Sequence, residues 1–218
     1  MKANSAVILA GGRSSRMGMP KAALPFGPST MLEHLIDSLS GAFAEIIVVA
    51  APLSDEPFSI DRSFKQRPNL ILERDDTAFA GPVGALRRGL ARARSEIVFA
   101  CSCDIPLLRP DLAQMLCAMV EDYGAIIPTH GGRLQPLCAA YRRERAIAAL
   151  AAMEAAGEQR LSLIAERLTV RRIDQAELRA IDPDLRSFMN VNTAEDYSRA
   201  LRLACGSSFS TTSHSALK

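Results

Sequence analysis

The chain has 218 residues, 48% of them hydrophobic, with 26 lysines and arginines against 24 aspartates and glutamates. That length suits one domain, and the apolar content is enough to bury a core. A net charge of +2 is not the basic footprint of a nucleic-acid binder, and no apolar run is long enough to span a bilayer.

The first apolar run, "AVILA" (6–10), predicts a buried strand. The apolar stretch between Asn4 and Gly11 is too short for a signal-peptide core. A helix is predicted over 30–43, where "TMLEHLIDSLSGAF" places apolar residues on one face. "EIIVVAA" (45–51) and "NLILE" (69–73) predict two more strands, and "VGALRRGLARA" (83–93) an amphipathic helix. "EIVFAC" (96–101) predicts a fourth strand, followed by a helix over 109–122 with Pro110 in its first turn. Further strands are expected at 125–128, 136–141 and 168–173, and helices at 142–156, near 160–166 and at 193–204. Continuous apolar strands separated by amphipathic helices imply a mostly parallel sheet covered on both faces. The less regular pattern after 125 predicts a mixed or antiparallel edge. The expected layout is one domain over 1–205 and a loosely ordered Ser/Thr-rich tail over 206–218. The five cysteines, odd in number and mostly in apolar contexts, read as reduced thiols of a cytoplasmic protein.

The loop after the first strand carries the densest chemistry: "VILAGGRSSRMGMPKAALP", Val7 to Pro25. In an open α/β sheet, ligands sit outside the carboxyl ends of the strands. Gly11 and Gly12 allow a sharp turn whose N–H groups can face an anion. Arg16 and Lys21 add charge suited to phosphate oxygens. The spacing matches neither the Walker loop nor the dinucleotide fingerprint. Read alone, the segment could also be an ordinary strand-to-helix turn with surface cations.

Leu9-Ala10-Gly11-Gly12, then Arg16-Met17-Gly18, then Lys21, resembles the signature of sugar-nucleotide-type nucleotidyltransferases. Within that group it is most similar to the molybdenum cofactor guanylyltransferases. The resemblance spans roughly residues 6 to 200 and implies a three-layer, Rossmann-like α/β/α domain with a mostly parallel mixed sheet. It implies transfer of GMP from GTP to molybdopterin, with Mg²⁺ as cofactor. It further implies passing contact with proteins that insert the finished cofactor or with apo-molybdoenzymes, and no nucleic-acid or membrane partner. Leu9, Ala10, Gly11, Gly12, Lys21, Asp75, Gly81 and Asp104 are the implied GTP-binding residues.

Four other segments carry the resemblance. "AFAGPVGALRRGL" (78–90) holds the turn at Gly81, with Asp75 upstream and Asp76 adjacent as the carboxylate for the guanine edge; a solvated acidic loop is the plainer reading. "CSCDIPLL" (101–108) ends a strand at Asp104, placed to hold Mg²⁺ with substrate phosphates. The plainer reading is a helix cap, for which Asp111 is nearer. Cys101 and Cys103 share a strand face, but no second pair completes a tetrahedral metal site, so they read as core. "RLQPLCAAY" (133–141) puts Arg133 and Gln135 on the molybdopterin side. "FMNVNTAEDY" (188–197) offers Asn190 and Asn192 on one face of an extended chain, also assigned to the molybdopterin side, near the metal and phosphates. There Thr193 and Asp196 form a capping-box pattern. One departure is Ala50, where relatives can carry an asparagine. The catalytic set implied is Arg16, Lys21 and Asp104. A cytidylyltransferase on the same cofactor and a sugar-phosphate nucleotidyltransferase are the alternatives. Leu-Ala-Gly-Gly and Cys-Asp-Ile-Pro favour guanine over cytosine.

Overall fold

In the computed structural model, residues 4–11, 19–52, 67–74 and 81–204 are described. The strands are β1 (Ser5–Leu9), β2 (Pro25–Phe26), β3 (Ser29–Thr30), β4 (Glu45–Ala50), β5 (Leu70–Arg74), β6 (Ile97–Ser102), β7 (Ala125–His130), β8 (Arg133–Leu134), β9 (Cys138–Arg142) and β10 (Val170–Ile173). The helices are α1 (Met31–Ser40), α2 (Pro82–Arg92), α3 (Pro110–Ala118), α4 (Arg143–Ala155), α5 (Gln175–Arg179) and α6 (Ala194–Ala204). The segments 21–23, 161–166 and 186–188 are 3₁₀ turns.

The main sheet runs β5-β4-β1-β6-β9-β7-β10, with β8 added to β7. β5, β4, β1 and β6 are mutually parallel. β9 is antiparallel to both β6 and β7. The expected antiparallel strand therefore exists, but in the sheet interior rather than at its edge. β10, parallel to β7, closes that side. The chain can place β9 there because the β7–β8 hairpin and the turn over 135–137 return it directly beside β6.

Alternation along the strands divides the core. Ala6, Ile8, Ile46, Val48, Phe99 and Cys101 face α1, α3 and α5. Val7, Leu9, Ile47, Val49, Val98 and Ala100 face α2, α4 and the 161–166 turn. Three layers result, because each strand buries both faces. Thr30 and Glu33 start α1 with a reciprocal capping box, Glu33 N–H donating to Thr30 Oγ1 at 3.2 Å and Thr30 N–H to Glu33 Oε2 at 2.8 Å. α2 lies unusually close to the sheet at Gly89, where a Cβ would fall 2.5 Å from Val7 Cγ1.

A third, smaller cluster joins the β2–β3 region to α6. Leu24, Phe26 and Met31 pack with Val191 and Ala200, and Tyr197 Oη donates to the Pro25 carbonyl. This packing brings the segment before α6 against the loop after β1.

Candidate active site

Leu9 of β1 and Ser102 of β6 are register partners at the carboxyl ends of adjacent parallel strands. A cleft of about 420 Å³ opens there. Its near side is formed by Leu9, Ala10, Gly11, Pro20 and Lys21. Ser102, Cys103, Asp104 and Ile105 form its floor, the 135–138 turn and Leu161 its far side, and Phe188, Asn190 and Asn192 its rim.

The backbone holds these pieces together. Ala10 N–H donates to Val49 C=O at 2.8 Å and Cys103 N–H to Leu9 C=O at 3.0 Å. Val191 N–H donates to Asp104 C=O at 2.8 Å. Val191 is fully buried, so its neighbours Asn190 and Asn192 both project into the cleft, as expected of an extended chain.

Three distant side chains meet at the centre. Lys21 Nζ donates to Asp104 Oδ2 at 3.1 Å and to Asn192 Oδ1 at 2.6 Å. The Lys21 and Asp104 side chains are 21% and 22% exposed, open to a ligand from the cleft side. Ser102 Oγ donates to the other Asp104 oxygen, Oδ1. Asp104 caps no helix: α3 begins after Arg109, with Pro110 at its start and Asp111 in its first turn. Leu112 N–H donates to Asp111 at 2.9 Å, and the Arg109 guanidinium beside it holds the Asp111 carboxyl below its usual range.

Asn192 is braced from behind. Its N–H donates to Asp196 Oδ2 at 3.0 Å, as does that of Thr193 at 2.9 Å, while Asp196 N–H donates to Thr193 Oγ1 at 3.1 Å. The Asn192 N–H foremost, then the Thr193 side chain and N–H, depress the Asp196 carboxyl below its ordinary value.

The remaining sequence-predicted residues divide. Gln135 lines the cleft, its N–H bonded to Pro128 C=O at 2.9 Å and its amide donating to Arg133 C=O at 3.2 Å. Arg133 does not join it. It is exposed at the tip of the β7–β8 hairpin, beside Gly131 and Gly132, whose φ values of 57° and 73° make the tight turn that carries Arg133 outward. Gly81 opens α2 at φ 88° without lining the cleft. Gly12, Arg16, Asp75 and Asp76 lie outside the described residues. Ala50 ends β4 and is buried, so it offers the cleft no polar group. Ser102, Leu161 and Phe188 were not anticipated. For Ser102 a signal existed: it stands two residues before Asp104, on the strand face opposite the two cysteines.

Cys103 and Cys138 line the cleft but face the α1–α3 core. Burial, aided by the adjacent Asp104 charge and opposed by Lys21, pushes the Cys103 thiol up to about 12. Burial likewise raises Cys101 and Cys138. All three stay protonated at neutral pH and serve as apolar packing. Among the described residues no group of three or more His, Cys, Asp or Glu could hold a metal by itself. Asp104 and the two asparagines instead supply a small set of hard oxygen donors. That set fits a magnesium ion which takes its other ligands from phosphates and water.

Comparison with known proteins agrees with this architecture. The family model described as the MobA-like NTP transferase domain matches residues 6–172. A probable molybdenum cofactor guanylyltransferase of Methanosarcina mazei is 34% identical over 196 residues, covering 88% of this chain and 87% of that protein. The molybdenum cofactor guanylyltransferase of Syntrophotalea carbinolica is 32% identical over 211 residues, covering 96% of each. The crystal structure of molybdopterin-guanine dinucleotide biosynthesis protein A from Archaeoglobus fulgidus superposes with a TM-score of 0.77 at 22% identity, over 92% of this chain and 98% of that one. The chain belongs to the family of MobA-like NTP transferase domains, and its fold is theirs.

Proposed function

We propose that this protein transfers GMP from GTP to the terminal phosphate of molybdopterin, with or without its metal. The products are the guanine dinucleotide cofactor and pyrophosphate. The observation that carries this reading is the junction of Lys21, Asp104 and Asn192 at the mouth of β1 and β6, in a chain whose full-length relatives are named for this activity.

A phosphate oxygen of the acceptor attacks the α-phosphorus of GTP, and the bond to the β-phosphate oxygen breaks. The attacking phosphate is already an anion, so no strong base is required. The protein contributes position and charge. The backbone N–H of Gly11, which lines the cleft, would bind phosphate oxygens, with Gly12 next in sequence. Lys21, with Arg16 beside it in sequence, offsets charge on the departing pyrophosphate. Asp104, with Asn190 and Asn192 nearby, would hold magnesium, which when bound neutralises phosphate charge and aligns the reacting groups. Gln135 and the two asparagines orient the acceptor. Arg133 reaches only an acceptor that extends to the hairpin tip. Asp75 pairs with the N1–H and amino group of guanine, downstream of which Gly81 opens α2.

The test is donor competition: α-labelled GTP, CTP and ATP, each supplied with molybdopterin and Mg²⁺. GTP should label the pterin product well above the others. A wrong base leaves buried polar groups unpaired, at about 1–3 kcal/mol for each. Equal incorporation from CTP would replace the guanylyl assignment by a cytidylyl one within the same class.

A further inference from the structure

Ser102 is the last residue of β6 and lines the cleft. Its hydroxyl donates to Asp104 Oδ1, while Lys21 donates to Oδ2 at 3.1 Å. The carboxylate is thus held at both oxygens, which disfavours rotation about its terminal bond. The two grips differ in kind. Lys21 is a cation on a long, flexible stem that also bonds Asn192. Ser102 is a short neutral donor fixed to the rigid end of a central strand. Without the hydroxyl, Lys21 becomes the only partner of Asp104 within this group, and its charge draws both oxygens toward the ammonium. The hydroxyl opposes that swing and keeps the carboxylate at the cleft wall that both residues line. Ser102 is only half-buried, so it is not a core requirement.

We infer that Ser102 is a positioning residue, holding Asp104 in the orientation that receives a divalent cation carried by the phosphates of the nucleotide donor. This rests on the reading of Asp104 as the cation ligand for nucleotidyl transfer. Hydrogen-bond partners of metal-binding side chains are commonly worth about 10–100-fold in affinity or activity.

The test titrates Mn²⁺ into the full-length protein with a non-hydrolysable GTP analogue. Free Mn²⁺ is read by electron paramagnetic resonance, and turnover is measured against Mg²⁺ concentration in parallel. Ser102→Ala should weaken Mn²⁺ binding about tenfold. It should also raise the Mg²⁺ needed for half-maximal turnover by a similar factor, with KM for the pterin unchanged. Ser102→Thr, which keeps the hydroxyl on the same carbon, should restore both. Unchanged Mn²⁺ binding in Ser102→Ala, or an equal loss in Ser102→Thr, overturns the inference. Should the alanine variant unfold, Ser102→Cys, close in volume but a weak donor, carries the same comparison. Asp104→Asn separates the two levels. Wild-type Mn²⁺ binding and turnover in that variant remove the cation-ligand reading itself. Their loss, alongside an unaffected Ser102→Ala, removes only the role of Ser102.

Discussion

Lys21 bonds two acceptors from distant parts of the chain, Asp104 and Asn192, yet its side chain remains 21% exposed. The pair is part-buried, so the attraction between its charges is largely offset by the cost of desolvating them, and it adds little net stability. Its charge matters where a phosphate excludes water. Lys21→Ala should therefore leave the melting temperature nearly unchanged and lower turnover by about 10²-fold or more, the scale of a lost transition-state contact. Near-wild-type turnover by a folded variant would reduce Lys21 to a surface cation. Asp104→Asn makes a complementary comparison. It keeps the shape and removes the charge, so thermal stability without nucleotide should hold. Pyrophosphate release and magnesium-dependent stabilisation by GTP should both disappear, as thermal-shift and phosphate assays would show. These two residues were legible in the sequence because local features mark them: a glycine-rich turn after a buried strand, and a carboxylate ending another. Arg133, by contrast, does not line the cleft with Gln135, because the two glycines before it form a tight turn that leaves it exposed at the hairpin tip.

At the level of elements, apolar periodicity located the long helices and buried strands. It did not reveal the β2–β3 hairpin or α5, which are too short to show a period. The predicted helix near 160–166 is a 3₁₀ turn, since its buried residues, Leu161 and Ile164, stand three apart. Gly89 shows how one position sets the distance between layers. In an exposed helix, glycine to alanine would stabilise by up to about 1 kcal/mol through helix propensity. Here the added methyl meets Val7 Cγ1 at 2.5 Å and Val49 Cγ2 at 3.0 Å, both branched side chains in a packed core. Overpacking of this kind costs about 1–3 kcal/mol and outweighs the propensity gain. Gly89→Ala should lower the urea midpoint with an unchanged slope, and a midpoint at or above wild type would show that α2 can shift away freely.

Across the whole molecule, the two main apolar cores share one sheet, so neither can form without it. Unfolding in urea should be a single transition, with far-UV circular dichroism and tyrosine fluorescence coincident; Tyr141 is fully buried in the α2–α4 core. Separated transitions would mean that the region after residue 125 folds as a unit of its own. By itself the sequence determined the class of fold and the loop that faces a ligand. Strands buried on both faces, helices with one apolar stripe and paired glycines at a strand end are all written in neighbouring residues. Only the tertiary structure decided that β9 runs antiparallel inside the sheet, because a doubly buried strand looks alike whichever neighbour it pairs with. It also decided that Asn192 reaches Lys21 across 171 positions of chain. That meeting depends on Val191, Phe26 and Met31 packing together and on Tyr197 bonding Pro25. Such long-range contacts leave no period in the sequence, since each partner obeys only its own local pattern until the apolar cluster draws them together.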